Sequence, residues 1–287
     1  MIYLLLSVVF STSLFVIFKY FDIYRIDTLK AIVVNYIVAL TLGFTLAEST
    51  ISIAGIINQP WVFGALALGL LFVSIFFVMA LTAQQNGVSV VSVAGKMSVV
   101  VPILFGVYLY DESLGVFKII GILIALLAVY LASVKEDAKK HEKAGLLLPI
   151  ILFLGSGTID TTLKYVQNMY VSENDVEIFS GSLFTFAAFF GILILLVKTI
   201  KKPEPFGLRN VVAGIVLGVP NYYSIVFLIK ALQTKGFESS TLFTINNVSI
   251  VIVSTLVGFL VFREKFSLKN KIGILLAVVG IVLVAVA

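Results

Sequence analysis

From Trp61 to Ala83 the chain runs 23 residues without a charged side chain. A soluble fold has little use for such a stretch, whereas a helix crossing a bilayer needs roughly 20 mostly apolar residues. Ten segments of this kind follow one another: 2–18, 29–47, 61–83, 88–110, 114–134, 145–163, 176–197, 208–229, 240–262 and 268–287. In hydrocarbon each backbone N–H and C=O has to be satisfied within the protein, so each segment is expected as a helix. Composition agrees. The chain is 60% hydrophobic and 12% charged, and a water-facing shell calls for about twice that charge. The expected class is an all-α integral membrane protein of ten transmembrane helices.

Several functions are disfavoured at once. Cysteine is absent, which excludes disulfides, thiolate metal sites and a cysteine nucleophile. The only histidine, His141, sits in a charged loop, and no phosphate-binding glycine loop, HExxH or zinc spacing occurs. No cofactor, no metal and no enzymatic activity are expected. The net charge is +5, but the basic residues are scattered through short loops, as topology signals are, and form no nucleic-acid patch. Met1–Phe18 lacks a basic lead and a small-residue cleavage site, so it is expected to stay as the first membrane helix.

The chain reads as a duplication. Ser11–Tyr20 (STSLFVIFKY) pairs with Ser156–Tyr165 (SGTIDTTLKY) at an offset of 145. Gly64 pairs with Gly214, and Ser74-Ile75 with Ser224-Ile225, at 150. Gly106, Glu112 and Gly121 pair with Gly258, Glu264 and Gly273 at 152. An ordered series with a slowly growing offset is how a diverged repeat drifts. The expected division is residues 1–134, a charged linker at 135–144, and residues 145–287. Five helices per half is an odd number, so the second half enters the membrane from the opposite side, the inverted-repeat plan of many secondary transporters. Small residues at Gly121, Ala125 and Ala128, and at Gly273, Ala277 and Gly280, mark a close helix-packing seam.

Orientation follows from Lys and Arg. Fifteen lie in the loops after helices one, five, seven and nine: Lys19, Arg25, Lys30, Lys135, Lys139, Lys140, Lys143, Lys198, Lys201, Lys202, Arg209, Arg263, Lys265, Lys269 and Lys271. The opposite face holds four: Lys118, Lys164, Lys230 and Lys235. The positive-inside rule places the rich loops in the cytoplasm and both termini outside.

The junction of the last two helices in each half carries a family resemblance. The first copy runs Pro102-Ile-Leu-Phe-Gly106, Tyr110-Asp111-Glu112-Ser113-Leu114, then Gly121. The second runs Gly258, Arg263-Glu264-Lys265-Phe266-Ser267, then Gly273. This doubled pattern resembles the EamA-type branch of the drug/metabolite transporter superfamily, over nearly the whole chain. The resemblance implies ten helices around a central cavity and secondary transport, often efflux, of small metabolites or drugs. It also implies cytoplasmic termini, against the charge count.

Within the helices, Lys96 stands out. It lies nine residues into the fourth segment, about 12 Å from the nearer end. A lysine at a helix centre costs roughly 2.5–3.5 kcal/mol on insertion scales and marks a pathway by default. Asp160 is the one acid well inside a segment, at an axial offset of roughly 7–8 Å from Lys96 by helix rise. The pair is a candidate for an ion pair rearranged during transport, or for the proton-coupling group. Asn35, Asn221, Tyr222, Asn246 and Asn247 lie at similar depth and are candidate substrate ligands. Structural bonds to a neighbouring helix are the plain alternative for asparagines. Hydroxyls at Ser11, Thr12, Ser13, Ser156 and Thr158 are candidates to line the same space, or they bond back to their own helix. Gln84-Gln85-Asn86 reads as a plain turn, and Glu112 and Glu264 read as ordinary helix-end caps.

The expected function is a secondary transporter, an exporter of a small metabolite, amino acid or drug-like solute. It would work by alternating access, with its site at the midplane between the repeats. Its partners are the solute, a proton as candidate coupling ion and the bilayer of the cell membrane; the chain acts as a monomer or homodimer and binds no nucleic acid. The alternatives are a passive channel or lipid scramblase, an intramembrane enzyme acting on lipid-linked substrates, and an accessory subunit.

Overall fold

The computed structural model describes residues 2–46, 53–110, 115–134, 144–171, 176–201, 203–232 and 239–286. Glu112, His141 and the 135–143 charge run, read above from sequence, lie outside the described residues. Those described form twelve α-helices and no strand: α1 (Ile2–Ile23), α2 (Thr28–Leu46), α3 (Ile53–Ile57), α4 (Val62–Gln85), α5 (Val88–Met97), α6 (Val100–Tyr110), α7 (Val116–Ser133), α8 (Ala144–Tyr170), α9 (Val176–Lys201), α10 (Leu208–Leu232), α11 (Ser239–Leu260) and α12 (Leu268–Val286). The ten expected segments are all helical. The fourth is split into α5 and α6, and α3 is a short addition before the third. Among the described residues, seven stretches are long and apolar enough to span a bilayer, from α1, α2, α4, α5 into α6, α8, α9 and α10. Shorter apolar stretches come from α7 and α11. Large apolar side chains such as Phe63, Leu123, Ile200 and Leu275 are more than half exposed. Hydrocarbon, not water, is the solvent that tolerates such a surface. The chain is an all-α, multi-pass membrane protein.

The helices gather into two compact units, each drawing on both halves of the sequence. The first comprises residues 1–20, 78–158 and 223–287, and the second residues 21–77 and 159–222.

In the second unit, α2 is the buried centre. Ala31, Ile32, Asn35, Tyr36 and Ala39 have no exposed surface. Glycines let its neighbours close in. A Cβ at Gly218 of α10 would lie 2.9 Å from the Asn35 carbonyl oxygen, and one at Gly214 would lie 2.6 Å from that of Ala31. Two glycines four apart thus seat α10 on α2. Antiparallel α9 meets α2 at Gly43–Gly181 and again at Val33–Gly191. Tyr36 packs its ring against Phe76 (5.6 Å between centroids) and Phe184 (6.2 Å).

Just outside α2, a charged cluster ties two loops of this unit together. Asp27 caps α2 by accepting from the Lys30 backbone N–H at 3.1 Å, and it accepts from Lys198 Nζ at 2.8 Å. Its own N–H donates to Asn210 Oδ1 at 3.0 Å. Lys30, only 4% exposed, lies 3.6 Å from both Asp27 and Glu204 and donates to the Pro205 carbonyl at 3.1 Å. Burial pushes the Asp27 carboxyl up. The bonds from Lys198 and the Lys30 backbone, with the charges of both lysines, outweigh it and hold Asp27 below the usual value.

In the first unit, α7 and α12 pack antiparallel. A Cβ at Gly273 would collide with the backbone of Leu131 and Ala132, and one at Gly280 would touch Ile124 and Ala125. Ala125, Ala128 and Ala277 are buried in the same contact. Ser267 and Asn270 cap the start of α12 reciprocally, at 3.1 and 3.2 Å. The Asn270 amide also donates to the last carbonyls of α7, Leu131, Ala132 and Val134, at 2.9–3.0 Å. One side chain therefore closes one helix and opens the next.

Candidate functional site

The fourth span is broken, and the break has a local cause. Proline at 102 has no N–H for the Ser98 carbonyl, and its ring crowds that carbonyl. The chain turns instead: Val101 N–H bonds Ser98 O at 2.9 Å, and Ser98 Oγ donates to Gly95 O at 2.6 Å. α8 packs directly on the break. A Cβ at Gly157 would strike the Val101 side chain and lie 2.8 Å from the Ser98 carbonyl oxygen, so only glycine fits. Lys96, half-buried, occupies the last turn of α5. The negative end of a helix dipole suits a cation there.

The other end of α5 is held by a distant residue. After α11, Arg263 takes a left-handed conformation (φ 52°) and turns the chain back, and Glu264 N–H bonds Gly258 O at 2.9 Å. The Glu264 carboxylate then accepts from Val88 N–H at 2.6 Å, Ser89 Oγ at 3.0 Å and Ser89 N–H at 3.4 Å. It caps α5, a helix of the other sequence half, where the sequence pointed to a cap of its own helix end. Two glycines make room for it. A Cβ at Gly87 (φ 106°) would lie 2.6 Å from Glu264 Oε1, and one at Gly258 would lie 2.8 Å from Ser89 Oγ.

α11 carries Asn246 and Asn247, 1% and 3% exposed, each with its side-chain carbonyl oxygen unpartnered among the described residues. α11 packs against α5 and meets it at Gly258 and Ser89. From that point Lys96 lies about 10 Å along α5 and Asn247 about 16 Å along α11. The two residues are therefore offset by about 6 Å along the helix direction.

In the second unit, Asn35 is fully buried and neither end of its amide has a partner among the described residues. The Tyr36 hydroxyl and Ser182 Oγ are buried and unpartnered in the same sense. Each such group costs about 1–3 kcal/mol unless a ligand or water meets it. Asn221 is buried, Tyr222 is half-buried, and Asp160 is exposed on α8. Lys96, Asn246 and Asn247 thus belong to the first unit, and Asn35, Asp160, Asn221 and Tyr222 to the second. Of the hydroxyl candidates, Thr158 and Ser13 bond back to their own helices, at 2.8 and 2.7 Å, while Thr12 Oγ1 is buried and unpartnered among the described residues. The turn at 84–86 is more than a plain turn. Gln84 donates to Phe18 O at 3.2 Å, Lys19 donates to Gln84 O at 2.7 Å, and Asn86 donates to Gly145 O at 2.6 Å. No group of three or more His, Cys, Asp or Glu gathers among the described residues.

Comparison with known proteins supplies the context. Residues 144–286 match the model of the EamA-like transporter family. An uncharacterized protein of Haemophilus influenzae is 29% identical over 97% of this chain and 95% of its own length. The "Probable glucose uptake protein GlcU" of Priestia megaterium is 27% identical over 86% of each chain. A solved crystal structure of a protein 14% identical superposes with a TM-score of 0.57, covering 97% of this chain and 96% of the other, and so shares its fold.

Proposed function

We propose, from the premise that residues 144–286 are an EamA-like domain of the drug/metabolite transporter superfamily, that this membrane transporter is a secondary carrier for a small, uncharged, polyhydroxylated solute of the monosaccharide class. The observation that carries the proposal is the set of buried amide and hydroxyl groups without partners: Asn35, Tyr36 and Ser182 in one unit, Asn246 and Asn247 in the other. Hydroxyls donate and accept at one atom, so a sugar satisfies amide and hydroxyl walls without bringing charge into a membrane. The relative named for glucose uptake supports the same class. Asn221 and Tyr222 are proposed as further ligands.

Lys96 and Asp160 are proposed as the charges on which coupling depends. Lys96 sits where a span is interrupted, the feature that marks binding sites in many inverted-repeat carriers. The repeat division at 135–144 and alternating access belong to the same proposal, as does placement in the cell membrane. A secondary carrier runs in whichever direction its gradients dictate. Preloaded vesicles therefore separate export, which the family resemblance suggests, from uptake.

The test is flux into proteoliposomes of D-glucose, amino acids and cationic drugs, with and without a pH gradient. D-Glucose flux should be saturable and driven by the gradient. Lys96→Ala should lower it by about tenfold or more, the loss of one charge-assisted bond, with an unchanged melting temperature. Asp160→Asn should make flux indifferent to the gradient. Wild-type flux in Lys96→Ala would remove that residue from the site, and gradient-independent flux in the wild type would indicate a channel.

A further inference from the structure

We infer that the first unit holds a docking site for the phosphodiester headgroup of an anionic phospholipid, between Lys19 and Lys265 at its basic-loop end. A cavity of about 500 Å³ lies there, walled by the end of α1, the α4–α5 turn, the end of α7 and the α11–α12 turn. Tyr20, next to Lys19, packs its ring on Phe262 with centroids 5.2 Å apart, which holds the end of α1 beside the α11–α12 turn. The cavity is thus built from the ends of spans, at the depth where headgroups lie. It needs nothing from the carrier reading above.

The charge of the wall selects the ligand. Its charged side chains are Lys19, Lys265 and Glu264, which leave one positive charge in excess. The carboxylate is already committed: it accepts from Val88 N–H, Ser89 N–H and Ser89 Oγ, at the positive end of the α5 dipole. Both lysines keep donors for a ligand. Lys19 Nζ donates to the Gln84 carbonyl at 2.7 Å, which uses one of an ammonium's three hydrogens and does not cancel its charge. Lys265 is exposed and has no hydrogen-bond or ion-pair partner among the described residues. A phosphodiester that carries a single negative charge matches the excess, whereas a choline headgroup would add a cation beside two lysines. Basic pockets between membrane helices take anionic headgroups on this ground. A lipid, rather than a dissolved anion, is indicated by the adjoining surface. Phe266 lines the cavity and stacks on Phe259 with centroids 6.5 Å apart, and Phe259 is 57% exposed on α11. An acyl chain leaving the headgroup therefore meets apolar surface at once. Bound there, the headgroup bridges α1 to the turn from which Glu264 caps α5.

The test reads occupancy directly. The chain has no cysteine, so Gln85→Cys at the cavity wall and Tyr24→Cys, 65% exposed on the same basic face, each give a single thiol for N-ethylmaleimide. The full chain is reconstituted in phosphatidylcholine vesicles with a rising share of phosphatidylglycerol. Phosphatidylglycerol should slow labelling at residue 85 several-fold and saturably, beyond any change at residue 24. Lys265→Gln should raise the half-protecting share about fivefold, the worth of one lysine at an anionic surface. Lys19→Gln should do the same from another helix, and Lys265→Arg, which keeps the charge, should protect as the wild type does. The inference is overturned if both thiols slow equally, which is diffuse surface charge, or if neither glutamine variant weakens protection. It is also overturned if inorganic phosphate in pure phosphatidylcholine vesicles protects as well as phosphatidylglycerol does, since the site would then be one for a dissolved anion.

Discussion

At the scale of single residues, Glu264 does the most for the geometry. Unbonded N–H groups at a helix start are satisfied by an acceptor, and a carboxylate there also meets the positive end of the dipole. Glu264 supplies both to α5 from 175 residues away. Glu264→Ala should cost about 1–2 kcal/mol, as lost caps do, and Glu264→Gln should cost less because its amide oxygen still accepts one bond. Gly87→Ala should be at least as severe. Its φ of 106° with ψ of 165° is essentially a glycine-only conformation, worth about 1–3 kcal/mol when forced on another residue, and the new methyl would fall on the carboxylate. Gly95→Ala is the control: nothing lies within 4 Å of a Cβ there, and the change should be neutral or stabilising. Melting temperatures in detergent decide among these outcomes.

Asp27 makes a second prediction at the same scale. Its folded pKa lies below the usual aspartate value. The stabilisation it provides is therefore complete above that value and is lost as pH falls through the lower folded one. The melting temperature of the wild type should drop along this acid limb, and Asp27→Asn should flatten the limb while lowering stability at neutral pH. A limb of the same slope in both proteins would assign the acid sensitivity to other groups.

At the scale of elements, the break between α5 and α6 is what a hydropathy reading passes over. The segment 88–110 is uniformly apolar, and apolar length reports that a span exists, not whether its ladder is continuous. Pro102 was visible in the sequence, and it is the cause. Helix ends were also under-read: α8 continues to Tyr170, beyond the expected 163, because polar residues extend a helix past the hydrocarbon. Lys96 was legible because a charge stands out in an apolar run. Tyr36 and Ser182 were not, since a hydroxyl in a membrane helix ordinarily bonds its own backbone. The partner of Glu264 was illegible for another reason: a cap is read as local, and only the fold brings residue 88 to residue 264. Pro102→Ala tests the element directly. It returns an N–H that can bond Ser98 O and removes a residue worth about 3 kcal/mol against a continuous helix. The melting temperature should hold or rise, and solute flux should fall by roughly tenfold if the break has to flex. Undiminished flux in a stabilised variant would make the break a static feature.

At the scale of the whole molecule, the open matter is which way the chain crosses the bilayer, where two arguments oppose each other. The family resemblance places the termini inside. The charge distribution, fifteen Lys and Arg against four, places them outside, and translocating a basic loop is what the positive-inside rule opposes. The charge argument is the more physical of the two, because the Lys/Arg bias itself sets the orientation. It makes a paired prediction that a cysteine-free chain allows to be read cleanly. Tyr24→Cys and Lys265→Cys, in loops on the basic face, should be shielded from an impermeant maleimide added to intact cells and be labelled in inverted vesicles. Asn58→Cys and Tyr170→Cys, on the other face, should show the reverse. If all four exchange sides, the family orientation holds, and the Glu264 cap of α5 lies on the outer face. If they label as the charges require, that cap and the Lys/Arg-rich loop after α11 face the cytoplasm, and the outward opening of the carrier lies at the lysine-poor end.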